Sequence, residues 1–203
     1  MSAATPRRIE TSRKTKETDV TVGLDLSGPG DIRVETGLPF FDHLLTSMAF
    51  HGGFGLSVKA RGDVEVDAHH LVEDTGLVLG TALSDILRRA QPVARFGHAV
   101  IPMDEALAEV AVDVCGRPTL GYRPRFPQAR AGSFDLWLLR EFFLALADQA
   151  RISIHVDTRG AENSHHAAEA VFKALGRALG AAYAPGAGAA PPGKAMSTKG
   201  RLG

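Results

Sequence analysis

The sequence contains His69-His70 with Glu73 three positions beyond, and the same His-His-x-x-Glu string returns 96 residues later as His165, His166 and Glu169. On a helix, residues four apart share a face, so His69 can grip a cation together with Glu73, and His165 with Glu169. Adjacent residues diverge by about 100° around a helix axis, so His70 and His166 must aim at other partners. Each copy thus offers a two-ligand grip and one further imidazole, an arrangement suited to two divalent ions that each draw ligands from both copies. His43, which follows Asp42, and His155, on a strand, extend the set to six histidines. One partition assigns His43, His70, His165 and Glu169 to one ion, and His69, Glu73, His155 and His166 to the other. Four protein ligands per ion leave room for substrate or water in a six-coordinate shell. A solitary helical histidine is ordinarily a solvated side chain, but two adjacent pairs with Glu in register call for a ligand. The string is not the His-Glu-x-x-His of zinc proteases, and the single cysteine excludes a paired-cysteine structural zinc.

The elements that must position these residues are also duplicated. Leu79, Gly80 and Leu83 match Leu175, Gly176 and Leu179 at the offset of 96, and Leu56-Ser57-Val58 meets Ile152-Ser153-Ile154. Upstream, Leu24 to Gly28 resembles Val112 to Gly116 at an offset of 88, which predicts a loop eight residues longer in the second copy, within Arg117 to Gly132. Alternation in Val20 to Leu24 and Glu109 to Val112 predicts strands with one buried face. Apolar helical stretches follow, Phe40 to Phe50 and Phe134 to Ala147. Next come strands at Leu56 to Ala60 and Ile152 to Val156, and then the helices that carry the histidine pairs. Asp67 and Asn163 stand where helix caps belong. Ala168, Val171, Phe172, Leu175 and Leu179 form one buried stripe at helical spacing. The duplication divides the chain into half-repeats at 8–92 and 93–184, with a tail rich in Ala, Gly and Pro at 185–203.

Composition narrows the function classes. The 203 residues hold 23 basic and 23 acidic side chains, a balance that disfavours a nucleic-acid binder. No apolar run is long enough for a membrane span, and Met1 to Arg8 lacks the apolar stretch of a secretory signal. Cys115 cannot form an internal disulfide, which fits a reducing, cytoplasmic setting. A metal-dependent hydrolase of a phosphate ester remains the alternative to the reading below.

Several ordered motifs point to one family. They are Arg13-Lys14-Thr15-Lys16-Glu17-Thr18, Thr36-Gly37-Leu38-Pro39-Phe40-Phe41-Asp42-His43, Asp67 to Asp74, Arg95-Phe96-Gly97, Pro102 to Leu107, Asn163 to Leu175 and Ser197-Thr198-Lys199-Gly200. From about Arg13 to Lys199 the chain resembles imidazoleglycerol-phosphate dehydratase. The resemblance implies an α+β fold of two pseudo-symmetric halves, each a four-stranded sheet with helices packed on one face, like the second domain of ribosomal protein S5. It implies dehydration of imidazole glycerol phosphate in histidine biosynthesis with two Mn2+ ions, which hold the substrate ring as imidazolate. It further implies sites between subunits of a homo-oligomer, a 24-subunit cage of trimers. By resemblance Glu17 is the catalytic acid/base, with Glu169 as the other carboxylate considered for that role. His51, Arg95, Arg117, Lys173, Ser197 and Lys199 are substrate or phosphate contacts. Cys115 and Ser47 depart from the family pattern, which usually has Ser and Gln there.

Overall fold

In a computed structural model, residues 7–89 and 92–186 are described. Strands β1 (Arg8–Lys14), β2 (Thr18–Asp25) and β3 (Ile32–Glu35) lead into helix α1 (Pro39–Gly52), β4 (Gly55–Gly62) and α2 (His69–Arg89). The order then repeats: β5 (Phe96–Met103), β6 (Ala106–Asp113) and β7 (Thr119–Arg123), a short hairpin β8 (Arg130–Ala131) and β9 (Phe134–Asp135), then α3 (Leu138–Ala150), β10 (Ser153–Arg159) and α4 (Ser164–Ala182). The two four-stranded sheets have the equivalent orders β1-β2-β4-β3 and β5-β6-β10-β7. In each, the last pair is parallel, β3 with β4 and β7 with β10. A parallel pair needs a crossover connection, which α1 and α3 supply.

Alternation puts Val20, Val22 and Leu24 of the first sheet, and Ala108, Val110 and Val112 of the second, on the buried faces. Against the first sheet lie α1 and α2, and against the second lie α3 and α4, while α2 packs on α3 and α1 on α4. The helices of the two halves therefore share one core between two sheets, whose other faces are open among the described residues. On α4 the buried set exceeds the single stripe expected from sequence: Ala167, Ala170, Ala174 and Ala178 are also fully buried. Alanine carries too little apolar area to mark a face, yet small residues here let α1 cross closely. A Cβ on Gly176 would lie 1.9 Å from the Met48 carbonyl oxygen.

Two sequence expectations change. The apolar stretch from Phe134 is not helical at its start, and α3 begins at Leu138. Gly132, with φ of 59°, turns the β8–β9 hairpin, Arg130 closes it on Asp135, and Phe134 stacks on Phe41 in the core. The second change is the strand offset. Leu24 faces Leu56 and Val112 faces Ile154, so Leu56 corresponds to Ile154 and not to Ile152. A slip of two residues keeps every side chain on its own face, so hydrophobic pattern could not register it.

Candidate active site

Each helix that carries a histidine pair starts from a braced turn. Asn163 caps α4 by accepting from the His165 amide at 2.9 Å, and Asp67 does the same for the His69 amide at 2.6 Å. Gln128, from the longer second-half loop, exchanges hydrogen bonds with Ser164 on both backbone and side chain. Pro39 opens α1, where its missing N–H costs nothing. Asp42 accepts from the amide and hydroxyl of buried Thr36 at 2.9 and 2.6 Å, which fixes the turn immediately before His43. The β1–β2 turn is locked by Thr15, whose hydroxyl accepts from the amides of Glu17 and Thr18 at 3.1 and 2.9 Å. Arg13 ties that hairpin to Asp74 of α2 at 2.6 Å. Glu17 is thereby held at the hairpin tip beside the first histidine pair.

From these turns His43, His165 and Glu169 converge. Glu169 Oε2 lies 3.1 Å from His43 Nε2 and 3.3 Å from His165 Nε2, and one ligand atom from each residue falls within 4.8 Å of the other two. With ligand bonds of about 2.2 Å, neighbouring ligands of an octahedral ion stand about 3 Å apart, so the donors fit a divalent metal. Both halves contribute, His43 from α1 and the others from α4. Glu169 forms the buried floor, and its second oxygen accepts from Lys173 Nζ at 2.8 Å. Burial alone would push the Glu169 carboxyl up, but Lys173 and His43 outweigh it and hold the group at about 2. It is therefore ionised, as a metal ligand must be.

The equivalent first-half corner is simpler: His69 Nε2 and Glu73 Oε2 stand 3.3 Å apart, with Trp137 beside His69. The diverging histidines turn away from both corners. His70 Nδ1 meets Asp63 at 3.1 Å, with Glu17 at 3.9 Å; the Asp63 hydrogen bond is the main cause that raises its pKa. His166 Nδ1 meets Glu105 Oε2 at 2.9 Å, which raises the imidazole and holds the Glu105 carboxyl at about 2. His155 faces outward from the second sheet, among Phe96, His98, Ala111 and Asp113, and Gly121 leaves space for its ring. Within one chain, then, His70 does not join His43, His165 and Glu169, nor do His155 and His166 join His69 and Glu73.

The expected phosphate contacts fall into two groups. His51 lies close enough to Lys173 and Arg177 that burial, first, and then those two cations lower its pKa. Arg177, one helical turn beyond Lys173, was not singled out from sequence. Arg95 and Arg117 belong to adjoining segments, since the Arg95 carbonyl accepts from the Val114 amide. The Arg95 guanidinium makes a two-pronged contact with Asp113 at 2.8 and 3.2 Å and lies over the Phe96 ring. Exposed Arg117 follows the turn at Gly116, whose φ is 79°. Ser197 and Lys199 lie outside the described residues. Sequence reasoning gave no role to Asp63 or Glu105. The offset of 88 that pairs Leu24 with Val112 also pairs Glu17 with Glu105, and that signal could have found the latter.

A duplicated α+β core presenting histidine–carboxylate corners is the class of protein that the fold and site define, and one of those corners could hold a metal ion. The sequence profile described as imidazoleglycerol-phosphate dehydratase matches residues 36–179. The imidazoleglycerol-phosphate dehydratase of Anaeromyxobacter sp. (strain K) is 48% identical over 203 residues, covering 99% of this chain and 95% of that protein. That of Syntrophus aciditrophicus (strain SB) is 52% identical over 174 residues, 85% of this chain and 88% of the relative. Among solved structures, IGPD from Pyrococcus furiosus in complex with (S)-C348 superposes with a TM-score of 0.81 at 36% identity, over 95% of this chain and 100% of the other. The enzyme from Staphylococcus aureus N315 gives 0.77 at 35%, over 87% and 99%. The chain belongs to the imidazoleglycerol-phosphate dehydratase family, and it is a hydro-lyase.

Proposed function

We propose that this chain removes water from imidazole glycerol phosphate to give imidazole acetol phosphate in histidine biosynthesis, using two Mn2+ ions per active site. The observation that carries the metal reading is the three-donor corner of His43, His165 and Glu169, drawn from both halves. Held by His43, His165 and Glu169 at one corner and by His69 and Glu73 at the other, the ions would supply Lewis acidity that favours the imidazolate form of the substrate ring. Glu169, buried and paired with Lys173, serves as ligand and not as proton shuttle. Glu17, 58% exposed at its hairpin tip, takes the proton from carbon and returns one to the departing hydroxyl. Lys173 and His51, with Arg95 and Arg117, receive the phosphate. Arg95 offers a planar fork that matches phosphate oxygens, and Asp113 holds it ready. Ser197 and Lys199 complete this group by family resemblance.

His70, His155 and His166 complete the corners of neighbouring copies, so the active sites lie between subunits of a homo-oligomer, a 24-subunit cage of trimers. Support comes from His155, which stands on an open sheet face beside Phe96, 63% exposed. Among the described residues no helix is long and apolar enough to cross a membrane, and we place the protein in the cytoplasm. The deciding assay is Mn2+-dependent formation of the acetol phosphate by protein first stripped with chelator. Release of inorganic phosphate without the acetol product would instead mark a phosphate-ester hydrolase.

A further inference from the structure

In each half the diverging histidine is gripped at Nδ1 by a carboxylate that the ligand sets above do not use. Both oxygens of Asp63, in the loop after β4, stand 3.2 and 3.1 Å from His70 Nδ1. Glu105, in the β5–β6 turn, puts Oε2 2.9 Å from His166 Nδ1. Its other oxygen accepts from the amides of Glu162 and Asn163 at 3.1 and 2.8 Å, which fixes the carboxylate to the segment leading into α4. An ionised carboxylate can only accept, so Nδ1 carries the proton, and in the neutral imidazole the lone pair sits on Nε2. Around His166 Nε2 the Asn163 amide nitrogen, a donor, lies 3.4 Å away, and Asp104 Oδ2 lies 3.6 Å away. The Asn163 contact agrees with a lone pair at Nε2. Metal-bound histidines commonly have the other ring nitrogen held by a carboxylate, which sets tautomer and ring orientation.

We infer that Asp63 and Glu105 are positioning residues, which set the tautomer and ring orientation of His70 and His166 so that each ligates a metal through Nε2. The inference rests on the two-metal reading above. It also explains an asymmetry between two carboxylates that occupy the same place in the duplicated hairpins. Glu105 is consumed by His166 and two backbone amides. Glu17, its equivalent 88 residues earlier, stays 3.9 Å from His70 because Asp63 occupies that imidazole. Asp63 therefore leaves the first half with a spare carboxylate for proton transfer, and the second half has none at that position.

The test titrates chelated, full-length protein with Mn2+ and counts free ion by electron paramagnetic resonance. Glutamine at 105 keeps an oxygen for the two backbone amides but turns an NH2 toward Nδ1, which favours the opposite tautomer. Glu105→Gln is expected to weaken one Mn2+ step about 10–100-fold, and Asp63→Asn the other, with melting of the metal-free proteins unchanged. The double variant Glu105→Gln/His166→Ala should bind no more weakly than His166→Ala, because a residue acting through another adds nothing once that partner is gone. Additive losses would overturn the inference, as would a lowered melting temperature with normal Mn2+ affinity, which would leave Glu105 only a brace for α4. Unchanged affinity in Glu105→Gln, with a site lost in His166→Ala, would overturn it while the two-metal reading stood. Unchanged affinity in His166→Ala would remove that reading and the inference together.

Discussion

The two halves repeat one fold but divide the chemistry unequally. The second half, with His43 added from the first, builds a three-donor corner in which exposed His43 and His165 stand over buried Glu169. The first half builds a two-donor pair, His69 and Glu73, whose carboxylate is 42% exposed where that of Glu169 is 10%. Their open sheet faces differ as well. Arg8, Glu10, Arg33 and Ser57 line the first, whereas Phe96, His98, Ala111 and His155 line part of the second. Duplication supplied two equal frames, and a few side-chain differences turned one toward forming a corner and presenting imidazole outward. The other was left to hold a free carboxylate at Glu17.

The largest expected effect tests that free carboxylate. Glu17→Gln should retain its metals and its assembly while turnover falls by roughly 10²–10⁴-fold, the scale of general acid–base catalysis. Steady-state kinetics beside metal analysis checks this. A loss under about threefold would make Glu17 a bystander and return attention to Glu169.

The contrast between corners is sharpened by His165→Ala and Glu73→Gln. His165→Ala strips a donor from the three-donor set and should abolish one Mn2+ site, with metal content after gel filtration falling from about two per chain toward one. Glu73→Gln removes a charge but keeps an oxygen donor at an exposed pair, so it should weaken its site without emptying it at millimolar Mn2+. Equal losses in the two variants would erase the distinction between a three-donor corner and a two-donor pair.

Packing offers a smaller contrast at equivalent glycines. A Cβ at Gly176 would meet the Met48 carbonyl oxygen at 1.9 Å, and one at Gly80 the Leu146 carbonyl oxygen at 2.8 Å and the Gln149 side chain. Both alanine variants overpack a helix crossing, at a cost of about 1–3 kcal/mol, and Gly176→Ala should be the worse. Urea denaturation of the two would decide, and the reverse order would mean that α1 yields more readily than α3.

The smallest effect is in acid. The Glu169 carboxyl is held at about 2, below its ordinary value, by Lys173 and His43 acting against burial. A depressed pKa stabilises the fold above the unfolded value, about 4.3, and this contribution is lost as pH falls toward 2. In metal-free protein, Glu169→Gln should flatten the stability profile between about pH 4.3 and 2 relative to Glu73→Gln. Parallel acid limbs for the two would show that Lys173 does not stabilise the ionised carboxylate in solution.

The sequence by itself determined the duplication, the element types and the pairing of histidine with glutamate, because these are local. Helical spacing puts His165 and Glu169 on one face whatever surrounds them, and alternation assigns the buried faces of β2 and β6. Motif resemblance added the family and the names of the site residues. Tertiary structure alone decided the rest. His43 joins His165 and Glu169 only because α1 packs on α4 across the halves, and that crossing depends on glycine and alanine, which leave little trace in a hydrophobic pattern. The strand offset of β4 and β10 escaped notice because a two-residue slip preserves alternation. Asp63 came into view only once the folded chain brought its carboxylate to His70 Nδ1, and the contact of Glu105 with His166 Nδ1 likewise belongs to the folded chain.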